Sequence, residues 1–221
     1  MHFYLIRHGQ SYINLPDWDG NDLDQVLTPL GQQQVEAVGK WLSENIQAEY
    51  LFSSTLKRTR ETADAVSRYT GLDIIYDDRI REIGTNGPDG AALSNERLER
   101  YMDNLWGSLQ PYDAVTRHGE NWMQFRSRVG AFIEDKLRTL ATPNDSTPET
   151  TNNQRVLVVC HGGVIEAFFE YVFAKGPWSV VTVTSNNTSI THLEYRPVPN
   201  RPAWRLHYSN RVEHLTPELI S

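Results

Sequence analysis

Apolar and β-branched residues are gathered into short unbroken runs, and between these runs the apolar positions recur three and four apart. This is the pattern of buried strands alternating with amphipathic helices. Phe3-Tyr4-Leu5-Ile6 is the first run, and Val156-Leu157-Val158-Val159 is the longest of the others. Further strands are predicted at 49–53, 72–76, 178–184, 189–195 and 204–208. A helix is predicted after Thr28-Pro29, with Val35, Val38, Trp41, Leu42 and Ile46 on one stripe, Thr28 as N-cap and Pro29 at the first helical position. Others are expected over 54–69, about 94–106, 120–140 and 164–173, the 120–140 helix carrying Trp122, Phe125, Val129, Phe132, Ile133, Leu137 and Leu140.

Strands alternating with helices predict one α/β domain over 1–221, a three-layer α/β/α sandwich around a mostly parallel sheet. Residues 12–25 are polar, with Pro16 and Gly20, and read as a solvent-facing loop. Residues 84–119 are irregular, with a turn at Gly87-Pro88-Asp89-Gly90, and are expected to form a lid-like insertion above the sheet. Residues 142–153, rich in Pro, Thr, Asn and Asp, read as a surface loop, and the tail after Val212 as loosely held.

Composition narrows the classes. A net charge of −7 argues against bulk binding to nucleic acid or an anionic membrane, while leaving room for a local cationic site. The single cysteine, Cys160, excludes an internal disulfide or thiolate cluster and reads as a small core residue. Without a basic segment leading into an apolar one at the N-terminus, and without an apolar stretch of membrane-spanning length, a cytoplasmic protein is expected.

Candidate chemistry lies at the ends of the two apolar runs. Each stops at an imidazole followed by glycine: Arg7-His8-Gly9 and Cys160-His161-Gly162-Gly163. Strand ends of this kind are where open α/β sheets place ligands. Lys57, Arg58 and Arg60 fall in the first turn of a predicted helix, the wrong sign for the positive end of its dipole. Either an anion relieves the conflict or these long side chains reach water. A neutral histidine is a competent nucleophile toward phosphorus, and arginine forks match phosphate oxygens. Phosphoryl transfer needs little beyond positioned charge and an acid for the leaving oxygen.

The run Leu5-Ile6-Arg7-His8-Gly9-Gln10-Ser11 with Asn14 resembles the signature of the histidine phosphatase superfamily, the phosphoglycerate mutase-like proteins. The likeness continues, in family order, through Leu27-Thr28-Pro29-Leu30-Gly31, the 53–63 segment, Arg81-Glu82-Ile83 and the 156–163 segment. Gln10 replaces the glutamate frequent in that signature. The resemblance implies that His8 is the nucleophile that becomes phosphohistidine, with Arg7, Arg58 and Asn14 as phosphate ligands. It likewise implies that His161 and the Gly162 N–H stabilise phosphate oxygens, and that Glu82 is the acid for the leaving group. It implies no metal and no organic cofactor. The partners it implies are a small phosphorylated substrate and inorganic phosphate.

The resulting expectation is a cofactor-independent phosphomonoesterase of histidine acid phosphatase type. Two rivals stand beside it. A mutase would share the chemistry, but the Glu-Arg-His-Tyr segment that follows the acid in phosphoglycerate mutases is missing, as is the Trp-Glu-Gly pattern common in family phosphatases. A catalytically weak phospho-ligand binding module would not need an acid beside a nucleophile. His192 and His207 lie in alternating strands and read as core or surface residues, and His2 and His214 carry no signal. Arg117 and His118 adjoin the insertion as a possible substrate contact.

Overall fold

A computed structural model of the protein describes residues 1–18, 22–98, 111–140, 153–173 and 183–221. Among these residues six strands form one sheet: β1 (His2–Arg7), β2 (Tyr50–Ser53), β3 (Ile74–Tyr76), β4 (Arg155–Cys160), β5 (Ile190–Tyr195) and β6 (Trp204–Arg211). Their spatial order is β3-β2-β4-β1-β5-β6. The first four run parallel to their neighbours, and β5 and β6 add to the β1 edge antiparallel.

Helices α1 (Pro29–Asn45) and α2 (Lys57–Thr70) cover one face, and α3 (Trp122–Thr139) and α4 (Gly162–Val172) the other. The period of two along each strand distributes the core. Phe3 and Leu5 of β1 join Val156, Val158 and Cys160 of β4 in packing against Phe125, Phe132 and Phe168 of α3 and α4. Tyr4 and Ile6 join Leu157 and Val159 against Val38, Leu42, Ala63 and Val66 of α1 and α2. Strands buried on both faces need apolar residues at every position, which is why these runs are unbroken.

Local signals act as expected at several ends. The Thr28 side chain accepts from the Gly31 N–H, with Pro29 opening α1. Asn121 and Gln124 form a capping box at the start of α3. The cationic first turn of α2 is answered from within the chain, because Asp24 accepts from the Lys57 N–H at 2.7 Å. Arg60 lies over the Tyr76 ring, 4.4 Å from its centroid.

Three expectations change. The helix expected at about 94–106 is a single 3-10 turn at Asn95–Arg97 as far as residue 98, and its remainder lies outside the described residues. The strand expected at 178–184 lies mainly outside them as well, and residues 183–186 are irregular; nearly all of the 142–153 loop is likewise outside. The tail after Val212 is held rather than loose. Gln34 of α1 donates from Nε2 to the Leu219 carbonyl at 2.7 Å, the Asn187 N–H donates to the Ser221 carbonyl at 3.1 Å, and Leu215 is buried. Composition could not signal this, because the anchor is a buried glutamine nearly two hundred residues earlier.

Topology creates one crevice of interest. Strand β1 leads to α1 on one face, and its neighbour β4 leads directly to α4 on the other. Adjacent parallel strands whose connections diverge in this way open a gap at their carboxyl ends, the usual ligand position in such sheets.

Candidate active site

Register brings the two histidines together. Arg7 pairs with Cys160 across the β1–β4 ladder, and the His8 N–H donates to the Cys160 carbonyl at 3.0 Å. The next residues on the two strands are therefore level, and the His8 and His161 rings meet edge to face at 5.1 Å between centroids. Both are buried.

Each ring is oriented by a specific partner. His8 Nδ1 lies 2.7 Å from the Gly9 carbonyl oxygen, an acceptor only, so Nδ1 carries the proton and Nε2 presents its lone pair. That lone pair accepts from the Arg58 Nε–H at 3.1 Å. His161 Nε2 is 2.8 Å from the Ser54 hydroxyl, while its Nδ1 is buried without a protein partner. Burial first, and Arg58 second, hold both imidazoles well below the usual histidine range, so they are neutral.

Of the cations, Arg58 is buried and Arg7 half-buried. Arg58 donates from Nη1 to the Leu23 carbonyl at 2.9 Å, and burial lowers its guanidinium to about 10, which leaves it charged at neutral pH. Arg7 donates from Nη1 to the Ser185 carbonyl, and its buried Nε has no protein partner. Burial lowers Arg7, and the Glu82 carboxylate offsets part of that effect. Orphaned buried donors are uncommon in folded proteins. Arg7 Nε is one of them among the described residues, and the buried His161 Nδ1 likewise has no partner there.

Glu82 lies at the start of α4. One carboxylate oxygen accepts from the Gly163 N–H at 3.3 Å and the other from the Ile83 N–H at 3.0 Å. The positive end of a helix dipole favours a carboxylate here. A side chain on residue 163 would obstruct the arrangement, since a Cβ there would lie 2.3 Å from Glu82 Oε1. The Glu82 loop is held from behind by Arg128, which donates to the carbonyls of Arg79, Arg81 and Glu82 at 2.8, 2.8 and 3.1 Å. Arg128 also forks onto the buried Glu120 at 2.6 and 2.7 Å.

Arg7, His8, Arg58, Glu82, His161 and Gly162 are thus brought together. Asn14 is differently engaged: its Oδ1 accepts from the Ser11 N–H at 3.0 Å and the Ser11 hydroxyl at 3.1 Å. A contact from Asn14 to an anion would have to come from its Nδ2. Arg117 and His118 are exposed on the turn before α3.

Pattern reading missed the supporting residues. Ser54 sits inside the 53–63 segment, yet nothing in its spacing shows that it holds His161. Asn187 donates from Nδ2 to the His8 carbonyl at 3.0 Å, and the Thr188 N–H donates to the same oxygen at 3.2 Å. Thr188 takes φ 56°, a left-handed conformation that strains a β-branched residue. No sequence signal marks either residue.

A mixed α/β sheet that gathers two buried imidazoles, the buried Arg58 and the half-buried Arg7 at one carboxyl edge defines an α/β protein with a cationic site. Residues 3–207 match the sequence pattern of the histidine phosphatase superfamily, branch 1, and the chain belongs to that family. A probable phosphoglycerate mutase, GpmB, of Escherichia coli O1:K1 is 27% identical over 198 residues, covering 87% of this chain and 84% of the relative. The fold also resembles a mycobacterial glucosyl-3-phosphoglycerate phosphatase (TM-score 0.66, 22% identity, 96% and 99% of the two chains). A phosphoserine phosphatase from Entamoeba histolytica, solved with 3-phosphoglyceric acid, is similar to the same degree (TM-score 0.69, 22% identity, 97% and 99%).

Proposed function

We propose that this protein is a phosphomonoester hydrolase that acts on small phosphorylated metabolites through a phosphohistidine at His8 and needs no cofactor. The observation that carries the reading is the lone pair of His8 Nε2, fixed by the Gly9 carbonyl and bordered by donors that lack protein partners. The family and the named activities of the structural neighbours, small phospho-acid esters among them, support it.

In the first step the substrate phosphoryl group replaces the Arg58 hydrogen bond on His8. Arg58, Arg7, His161 Nδ1–H and the Gly162 N–H hold its equatorial oxygens, with Asn14 Nδ2 at the margin. His8 Nε2 forms the N–P bond as the P–O bond to the leaving group breaks, and Glu82, entering this step as the neutral acid, gives that oxygen its proton and becomes the carboxylate. In the second step Glu82 takes a proton from water, whose oxygen attacks phosphorus, and the N–P bond breaks to release inorganic phosphate. The cations stabilise charge on the transferring group without having to reorganise. On this reading, selection of the leaving group falls to the 84–119 insertion expected from the sequence.

His8→Ala is expected to lower p-nitrophenyl phosphate hydrolysis by roughly 10³-fold or more and to abolish an acid-labile phosphoenzyme. Undiminished turnover in that variant would overturn the assignment. The relative named as a mutase favours a second reading, transfer of the phosphoryl group back to an isomeric product. With 3-phosphoglycerate as substrate, release of inorganic phosphate supports the hydrolase, and formation of 2-phosphoglycerate without release supports the mutase.

A further inference from the structure

We propose that His2, His192 and His207 form a binding site for a divalent transition metal, of the class that takes Zn²⁺, at the end of the sheet remote from His8. The three residues are far apart in sequence and come together because β1, β5 and β6 are neighbours. Tyr4 pairs with His192 across β1–β5, and register shifts in the β5–β6 ladder on either side of His192 bring His207 beside it. The His192 and His207 rings stack at 4.3 Å between centroids, and the His2 ring lies 5.2 Å from His192. One ligand atom from each of the three lies within 4.8 Å of the others.

The rings stack on one another, and a rotation of the exposed His207 ring would turn its free nitrogen toward the His2–His192 pair. His2 Nδ1 and His192 Nε2 face one another at 3.0 Å. As a hydrogen bond this contact uses one proton between two nitrogens. A tetrahedral ion with bonds of 2.0–2.1 Å would instead meet both lone pairs, at a nitrogen separation of roughly 3.3 Å. His192 is held flat against Tyr4, 4.2 Å between centroids. His207 is fixed through Nε2 by Glu194 at 2.8 Å, supplying the carboxylate that commonly orients a ligating imidazole or joins it as an oxygen donor. His207 is on the edge strand with its side chain 41% exposed, which gives an ion a way in. Arg155 and the Met1 ammonium add positive charge near His2, and Glu194 opposes it.

Three imidazoles with one position open to solvent match the donor preference of Zn²⁺, Ni²⁺ or Cu²⁺ rather than Mg²⁺ or Ca²⁺. Six strand residues, about 20 Å at the usual rise, separate His2 from the reactive end of β1. An ion there would tie the two antiparallel strands to the parallel sheet without entering the reaction.

The test is calorimetric titration of Zn²⁺ into chelator-treated full-length protein, with thermal unfolding followed in parallel. One equivalent is expected to bind and raise Tm. Because His207 is exposed on an edge strand, His207→Ala should fold, bind Zn²⁺ at least about tenfold more weakly and lose the Tm rise. Glu194→Gln should weaken binding to a lesser degree, and His8→Ala should leave both measurements unchanged. Should His207→Ala not fold, His2→Gln serves in its place, and ring resonances of His2, His192 and His207 in the unmodified protein should shift on saturation. Absence of binding, full binding by His207→Ala, or loss of binding in His8→Ala would overturn the proposal.

Discussion

At His8 the decisive feature is the division of labour between its two nitrogens. Nδ1 is tied to the Gly9 carbonyl and Nε2 is left to react, so the tautomer is set by backbone that is one residue away. Gly163 performs a comparable service for Glu82, because only hydrogen fits between that backbone and the carboxylate. Gly163→Ala is predicted to displace Glu82 and lower kcat/KM on an alkyl phosphate by roughly 10²-fold, the usual worth of a positioned acid. On p-nitrophenyl phosphate, whose leaving group needs little protonation, the loss should be smaller. Equal losses on the two substrates would show that Glu82 is not the acid. The candidate site was legible at His8, His161 and Arg58 because a strand end and a helix start are local features. Ser54 and Asn187 were not, because their roles depend on contacts 107 and 179 residues away in sequence.

Among the elements, α3 does more than cover the sheet. Its strong apolar stripe announces core packing, and Phe125, Val129, Phe132 and Ile133 are indeed fully buried. Arg128 interrupts that stripe, and it forks onto Glu120 while carrying three carbonyls of the segment that ends at Glu82. Removing one member of a buried ion pair leaves the other uncompensated. Arg128→Ala should therefore cost about 3–5 kcal/mol in urea unfolding and depress turnover through a misplaced Glu82. A stability loss under 1 kcal/mol would mean that the pair is not the staple described. The alternation of strand and helix was readable wherever an apolar period was long, as in α1, α3 and β4. Elements without such a period were misread where they are described: residues 94–98, which form a 3-10 turn, and the tail that Gln34 anchors.

For the molecule as a whole, an acidic protein encloses a site of cations and neutral imidazoles, and acid should undo it. Burial lowers His8 and His161 well below 6.5 and lowers His214 to about 4. In the unfolded chain these groups take up protons below about pH 6.5, so the unfolded state binds more protons there and stability falls as pH falls. Glu166 acts in the opposite sense over the upper part of that window, since burial and the neighbouring Glu82 raise it to about 7. Burial lowers five imidazoles, His2 and His192 among them, against two raised carboxyls, Glu166 and Glu120, so the net direction is unchanged. The urea midpoint should drop steadily from pH 7 to pH 4.5, and a midpoint that rises over that range would contradict the burial of His8 and His161.

By itself the sequence determined the class of fold and pointed to the proposed reacting groups, since apolar periodicity and strand-end chemistry are written in neighbouring residues. It also placed the family through segments spread along most of the chain. Only the tertiary structure decided which residues hold the reacting groups in place, that Asn14 gives its oxygen to a loop, and that three unremarked histidines meet on one sheet face. These contacts arise from strand order and register, which are properties of the assembled sheet and of no single stretch of sequence.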